Sequence, residues 1–125
     1  MQRRLLKSKI HRARVTDKNL AYEGSISIDE TLMRAADLVG FEQVEIYNLN
    51  NGARFGTYVI PAPAGSCQIT INGAAARLAE KDDLIIIASY GMYQPEEVEK
   101  HSPLVVLVDQ RNRPVTAPAL HPAAG

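Results

Sequence analysis

The sequence predicts a mainly β fold, a small β-barrel with short connecting helices. Three observations point there. About six short segments carry strand patterns, either alternating or continuously apolar. Turn residues are frequent, with seven prolines and eight glycines. The chain has 125 residues, the size of one domain, and its few aromatics and missing tryptophan leave only aliphatic side chains to fill a core.

The elements come in this order. Arg4 to Thr16 reads as a strand with Leu5, Lys7, Lys9, His11 and Ala13 on one face and Leu6, Ser8, Ile10, Arg12 and Arg14 on the other. Neither face is apolar throughout, so the segment suits an edge, an interface or a site. Asp17 to Asn19 reads as a turn and Leu20 to Ser25 as an extended loop. A short helix capped by Asp29 comes next, with Leu32, Met33, Ala36 and Leu38-Val39 near helical spacing and Gly40 as its stop. Val44 to Leu49 alternates as a strand, Asn50-Asn51-Gly52 makes a tight hairpin turn, and Arg54 to Ile60 returns. Pro61 to Gly65 turns again. Cys67 to Ile71 is a further strand, Asn72-Gly73 a turn, and Ala74 to Leu78 one helical turn. Leu84 to Ser89 is apolar almost throughout and reads as a strand buried on both faces. Pro95 to His101 is helix-compatible, and Leu104 to Val108 is the last apolar strand. Beyond Pro114 the composition turns to Ala, Pro and Gly, a flexible tail over 115–125.

Composition excludes several function classes. Lys plus Arg equals Asp plus Glu, 14 each, which argues against nucleic acid as a bulk electrostatic partner. Cys67 is the single cysteine, so no internal disulfide forms. His11, His101 and His121 stand far apart, and no metal-ligand spacing occurs. The basic start is not followed by an apolar run of signal-peptide length, and nothing approaches a membrane span. A soluble cytoplasmic protein with no metal is expected.

Tyr22-Glu23-Gly24-Ser25 carries the most chemical information. A serine hydroxyl that attacks the carbonyl just before it turns an amide into an ester. Elimination and hydrolysis then leave a pyruvoyl group, a ketone that serine lacks. A Gly-Ser pair alone is usually a loop.

The surroundings change that reading. Lys9-Ile10-His11-Arg12, Tyr22-Glu23-Gly24-Ser25-Ile26, Asn51-Gly52 with Arg54, Thr57-Tyr58, Asn72-Gly73-Ala74-Ala75 and Ile86-Ile87-Ala88-Ser89 together resemble the bacterial aspartate 1-decarboxylases, over roughly residues 1 to 110. Those are pyruvoyl enzymes that make β-alanine for pantothenate and coenzyme A. The resemblance implies a double-psi β-barrel, a homotetramer with sites near subunit interfaces, L-aspartate as substrate, and a pyruvoyl cofactor with no metal or PLP. It implies a proenzyme cut between Gly24 and Ser25 into chains 1–24 and 25–125, with residues 1–114 forming one catalytic domain. Spontaneous scission and scission helped by a maturation factor are both open.

The resemblance also assigns roles. Ser25 is the pyruvoyl precursor that forms a Schiff base with the α-amine of aspartate. Gly24 supplies the cleaved carbonyl without a Cβ. Thr57 donates a hydrogen bond during processing and binds substrate. Tyr58 is the acid that reprotonates carbon, since a phenol normally holds its proton at neutral pH. Loss of the α-carboxylate leaves a carbanion that the imine delocalises, as a PLP-type sink does. Arg54 and Lys9 supply cations for the substrate carboxylates, although exposed Arg and Lys more often make surface ion pairs. Backbone groups of Gly73, Ala74 and Ala75 bind substrate. His11, Tyr22 and Asn72 are further pocket candidates. On a regular strand Arg54 and Tyr58 share a face and Thr57 points away. A bulge at Gly56 or a neighbouring subunit would reconcile them. Two rivals remain: a non-enzymatic β-barrel binding module with an intact backbone, and a pyruvoyl decarboxylase of another acidic amino acid.

Overall fold

The computed structural model describes residues 1–115, so all of the expected tail beyond Val115 lies outside the described residues. Eight strands run β1 (Arg3–Arg14), β2 (Asp17–Asn19), β3 (Ser25–Asp29), β4 (Gln43–Asn48), β5 (Arg54–Ala62), β6 (Ile69–Asn72), β7 (Leu84–Tyr93) and β8 (Leu104–Leu107). Helix α1 (Glu30–Ala35) follows β3, one 3-10 turn (Gly73–Arg77) follows β6, and α2 (Pro95–Val98) follows β7. The fold is mainly β with short connecting helices, as the sequence predicts.

The strands form one sheet in the order β2-β6-β3-β5-β4-β7-β1-β8. Its two ends are joined by the chain itself. β1 pairs antiparallel with β7, and β2, only two residues further on, pairs in parallel with β6. Val15 N–H donates to Asp83 O at 2.9 Å and Thr16 N–H to Ile69 O at 2.8 Å, so the chain changes partners across those two residues. The wall closes into a barrel. β1 is no edge at its middle, because Ser8 to His11 pair with β7 on one side or lie level with β8 on the other. Two register shifts interrupt β1 against β7, and Arg12 adopts φ 61° at the second.

β-branched side chains dominate the interior. Ile10, Ile26, Ile28, Ile46, Ile69, Ile71, Ile85, Ile87, Val15, Val44 and Val59 are fully buried with Leu32. Their single preferred rotamers suit a pleated, closed wall. β7 alternates from Leu84 to Ile87, with Ile86 half-buried, and is buried on both faces from Ile87 to Ser89.

Four expectations change. Asp17–Asn19 is a strand, not a turn. Ser25, expected at the end of an extended loop, instead opens the strand Ser25–Asp29 ahead of the helix. α1 stops at Ala36, and the left-handed residues are Asp37 (φ 54°) and Phe41 (φ 69°) rather than Gly40. The hydrogen bonds from Leu38 N–H to Met33 O (2.8 Å) and Phe41 N–H to Val59 O (2.7 Å) hold that loop. α2 ends at Val98, short of His101.

Asp29 ties the end of β3 to α1 and to the turn ahead of β6. Its Oδ1 accepts from Thr31 N–H at 2.8 Å, capping α1, and from Gly65 N–H at 3.0 Å; Oδ2 accepts from Cys67 N–H at 2.8 Å. Burial pushes the carboxyl up, but the amides of Thr31, Cys67 and Gly65 outweigh it and hold it below its ordinary value of 3.8. A depressed folded value stabilises the protein above that ordinary value and is lost as pH falls through the folded one. Asp29→Asn is expected to lower stability near neutrality by about 1–3 kcal/mol and to flatten the acid limb. Urea unfolding of both proteins across the acid range measures this, and parallel acid limbs would contradict it.

Candidate active site

Ser25 opens β3, fully buried, while Gly24 just before it is exposed. Its Oγ donates to Glu23 O at 3.1 Å and accepts from Asn72 Nδ2 at 3.0 Å. β3 runs antiparallel to β6, which sets Ser25 level with Asn72, and parallel to β5 with Ile26 level with Val59. Tyr58 comes one residue before Val59 on β5 and pairs with Gln43 of β4. Asn72 is buried and also donates from Nδ2 to Ser27 Oγ at 3.1 Å.

Gly73 backs directly onto the Glu23-Gly24 backbone. At φ +69°, a Cβ on it would lie 2.5 Å from Gly24 N, 2.6 Å from Gly24 Cα and 2.9 Å from the Glu23 carbonyl carbon. A Cβ on Gly24 would meet nothing within 4 Å. The steric need for glycine at this junction therefore falls on Gly73. Ala74 is exposed and Ala75 half-buried on the turn that follows.

A cavity of about 380 Å³ opens beside these residues, lined by Tyr22, Ser27, Ile60, Thr70, Asn72 and Asp17 among others. Among the described residues no Lys or Arg lines it, and Asp17 is acidic. A larger groove of about 800 Å³ runs along β1 and β8 past His11, Arg12 and Arg14, and Ser25 lines neither cavity. Among the described residues no three His, Cys, Asp or Glu side chains converge as metal ligands, and no helix is long and apolar enough to cross a membrane.

Strand pairing sets Lys9 and Arg54 away from Ser25 along the wall of one chain. Lys9 is level with Ala88 of β7, Ala88 with Glu45 of β4, and Glu45 with Gly56 of β5. Four strand steps of about 4.8 Å, roughly 19 Å of wall, separate it from β3. Arg54 begins β5, and its guanidinium lies 4.3 Å from the centre of the Tyr47 ring. Tyr47 and Tyr90 share a hydrogen bond of 2.8 Å between hydroxyls. That bond, then burial, pushes the Tyr90 phenol up to about 12. Four residues of strand, about 13 Å, part Arg54 from Tyr58. β5 keeps unbroken register with β4 from Arg54 to Tyr58, so Gly56 makes no bulge. Thr57 is half-buried level with the core residue Val44. His11 lies at the second irregularity of β1 with Nδ1 buried and unpartnered among the described residues; burial, then the charges of Lys9 and Arg12, lower its pKa and favour the neutral ring.

Ser27 escaped the sequence reading. Its signal was present: Ser25-Ile26-Ser27-Ile28 alternates polar and apolar, the mark of a half-buried strand.

A sequence profile of the Aspartate decarboxylase family matches residues 1–115. A protein named aspartate 1-decarboxylase from Syntrophobacter fumaroxidans is 60% identical over 116 residues, covering 93% of this chain and 94% of that one. Another of that name from Thermoanaerobacter pseudethanolicus is 55% identical over 115 residues, covering 92% and 98%. A third, from Heliobacterium modesticaldum, is 52% identical over 125 residues, covering 100% and 94%.

Two glycine substitutions isolate the approach of Gly73 to Gly24. Gly52 has φ +76° and nothing within 4 Å of a Cβ, so Gly52→Ala is expected to cost about 1–2 kcal/mol of backbone strain and leave the Gly24-Ser25 bond as it was. Gly73→Ala carries the same strain plus a clash with backbone. It is expected to lower the melting temperature further and to alter any scission at Gly24-Ser25. Equal effects of the two substitutions, read by calorimetry and intact mass, would show that the contact has no role of its own.

Proposed function

The chain belongs to the aspartate decarboxylase family, and we propose that it converts L-aspartate to β-alanine and carbon dioxide with a pyruvoyl group made from its own Ser25, supplying pantothenate and coenzyme A synthesis. The observation that carries this reading is the placement of Ser25. Its hydroxyl is buried, oriented from two sides, and bonded into the chain directly after an exposed Gly24. The missing Cβ of Gly73 leaves the space in which the Glu23-Gly24 backbone sits, so the residues present fit a precursor of that group.

The chain's own residues divide the work. Ser25 Oγ is the nucleophile toward the Gly24 carbonyl, and Asn72 Nδ2 steadies it. Covalent catalysis of this kind replaces one hard step by easier ones. Once formed, the pyruvoyl group supplies an electron sink for loss of the α-carboxylate, as PLP does elsewhere. Tyr58, one residue before the Val59 that pairs with Ile26, holds the proton for the product carbon at its phenol oxygen. Thr57 supports processing and substrate binding through its hydroxyl. Backbone groups of Gly73, Ala74 and Ala75 face the substrate.

Cations are the missing part. Aspartate brings two carboxylates, yet the cavity lined by Asn72 and Ser27 has no Lys or Arg among the described residues and one acidic neighbour. Lys9 and Arg54 lie some way around the wall from it. A homotetramer resolves this if these cations reach the Ser25 site of an adjacent subunit, which makes each site a joint product of two chains.

Two experiments test the reading. Purified protein should separate into chains 1–24 and 25–125, the second starting with pyruvoyl, and should release β-alanine from L-aspartate in preference to other acidic amino acids. Ser25→Ala should do neither. Full-length mass after long incubation both without and with added cell extract, or turnover by Ser25→Ala, would refute it; scission only with the extract would identify a maturation factor. Secondly, Ser25→Ala and Lys9→Ala should each be inactive alone, while their co-expression should restore about a quarter of activity or less through mixed assemblies. No recovery would place Lys9 and Ser25 of one site on one chain.

A further inference from the structure

We propose that Ser27 is a positioning residue for maturation, fixing the Asn72 amide so that it donates to the oxygen of Ser25 that must leave with charge. The proposal rests on the reading that Ser25 is processed.

Four observations converge on this role. Asn72 Nδ2 lies 3.0 Å from Ser25 Oγ and 3.1 Å from Ser27 Oγ. A side-chain amide nitrogen has two N–H bonds about 120° apart, so each hydroxyl oxygen can take one. Ser25 Oγ has already committed its own hydrogen to Glu23 O at 3.1 Å, which leaves it as an acceptor toward Asn72. Asn72 is buried, with 3% of its surface exposed, and no other hydrogen bond of its side chain is found among the described residues. Ser27 is thus the second anchor of the amide. Without it the group is free to pivot about one contact.

The chemistry needs that anchor at a definite step. First, Ser25 Oγ adds to the Gly24 carbonyl carbon; the C–N bond breaks, and the freed nitrogen takes the hydroxyl proton. An ester results. Then the Ser25 Cα loses its proton, the Cβ–Oγ bond breaks, and Gly24 departs as a carboxylate carrying the electron pair. The unsaturated residue left behind takes up water and releases ammonia, giving the ketone. Negative charge develops on the former Ser25 Oγ in the second step. A donor already aimed at that atom stabilises the charge without reorganising. Free rotation of Asn72 removes that preorganisation and slows elimination more than ester formation.

The experiment tracks purified precursor by intact mass, with and without hydroxylamine, which cleaves esters and leaves 25–125 beginning with serine. Ser27→Ala is expected to accumulate a hydroxylamine-sensitive form and to yield the pyruvoyl-ended chain about three- to tenfold more slowly, the scale of one net hydrogen bond. Ser27→Thr keeps a hydroxyl and should mature within about twofold of the parent; Ser27→Val, of matching shape without it, should behave as Ser27→Ala. The Thr and Val pair decides the matter if Ser27→Ala fails to fold, since both are β-branched residues suited to a strand. Maturation of Ser27→Val at the parent rate, or equal slowing in Thr and Val, overturns the proposal. An unprocessed parent protein overturns instead the reading on which it rests.

Discussion

The site depends on one backbone contact, the approach of Gly73 to Glu23 and Gly24. It arises because β3 and β6 run antiparallel with Ser25 level with Asn72. The residue after Asn72 then turns back over the residues before Ser25. A left-handed φ at Gly73 makes that turn, and the missing Cβ lets two backbones meet. The polar contacts of Ser25 arise from the same register. Asn72 reaches both serines on its facing strand only while β3 and β6 hold this alignment, and a slip of one residue would turn Ser25 and Ser27 inward and Ile26 and Ile28 outward.

Barrel closure has the opposite effect on Lys9. A long first strand has to change partners to close the wall, and it does so at Val15 and Thr16. Only its continuation, β2, reaches β6 and the neighbourhood of Ser25. Lys9 remains on the part of β1 held between β7 and β8. The connectivity that builds the surroundings of Ser25 therefore leaves Lys9 on another part of the wall. Under the proposed function, a second chain is the economical way to bring positive charge to the substrate carboxylates.

Local chemistry made part of the fold legible. The Asn50-Asn51-Gly52 turn, the Asp29 cap and the apolar Leu84 to Ser89 strand each carry their signal within a few residues. β2 carried none, since Asp17-Lys18-Asn19 is a polar tripeptide whose strand geometry comes from pairing with Thr70 to Asn72. The end of α1 misled for a related reason. Glycine is the usual left-handed residue, yet Asp37 and Phe41 take that conformation because the loop between them is fixed from outside. Glu42 accepts from Lys7 Nζ at 2.8 Å, from Ser89 Oγ at 2.5 Å and from Val39 N–H at 3.1 Å. Burial pushes its carboxyl up, and these donors outweigh that and lower it. Of the site, the residues of Gly24-Ser25, Asn72-Gly73 and Tyr58 were legible as a group through resemblance. The anchoring of Asn72 by Ser27 was not, because it depends on a strand pairing between residues 45 positions apart.

The position of Ser25 at the very start of a strand also bears on how this barrel would survive the proposed cut. Upstream of Gly24, β1 is held by β7 and β8, and β2 by β6. Downstream, Ile26 to Asp29 is held by β5, and Ser25 to Ile28 by β6. Scission at Gly24-Ser25 falls between two segments that each keep their own ladders. Among the described residues, the loop between them has one backbone-to-backbone hydrogen bond outside a strand, the long 3.5 Å contact from Tyr22 N–H to Asn19 O. The cost of the proposed cut would be mainly the lost chain connection, since the ladders that bury Ile26 and Ile28 lie outside the severed bond. A bond placed anywhere inside β3 would have taken strand pairing with it, so the start of the strand is where the chain can give up a peptide bond and keep the new terminus fixed between β5 and β6.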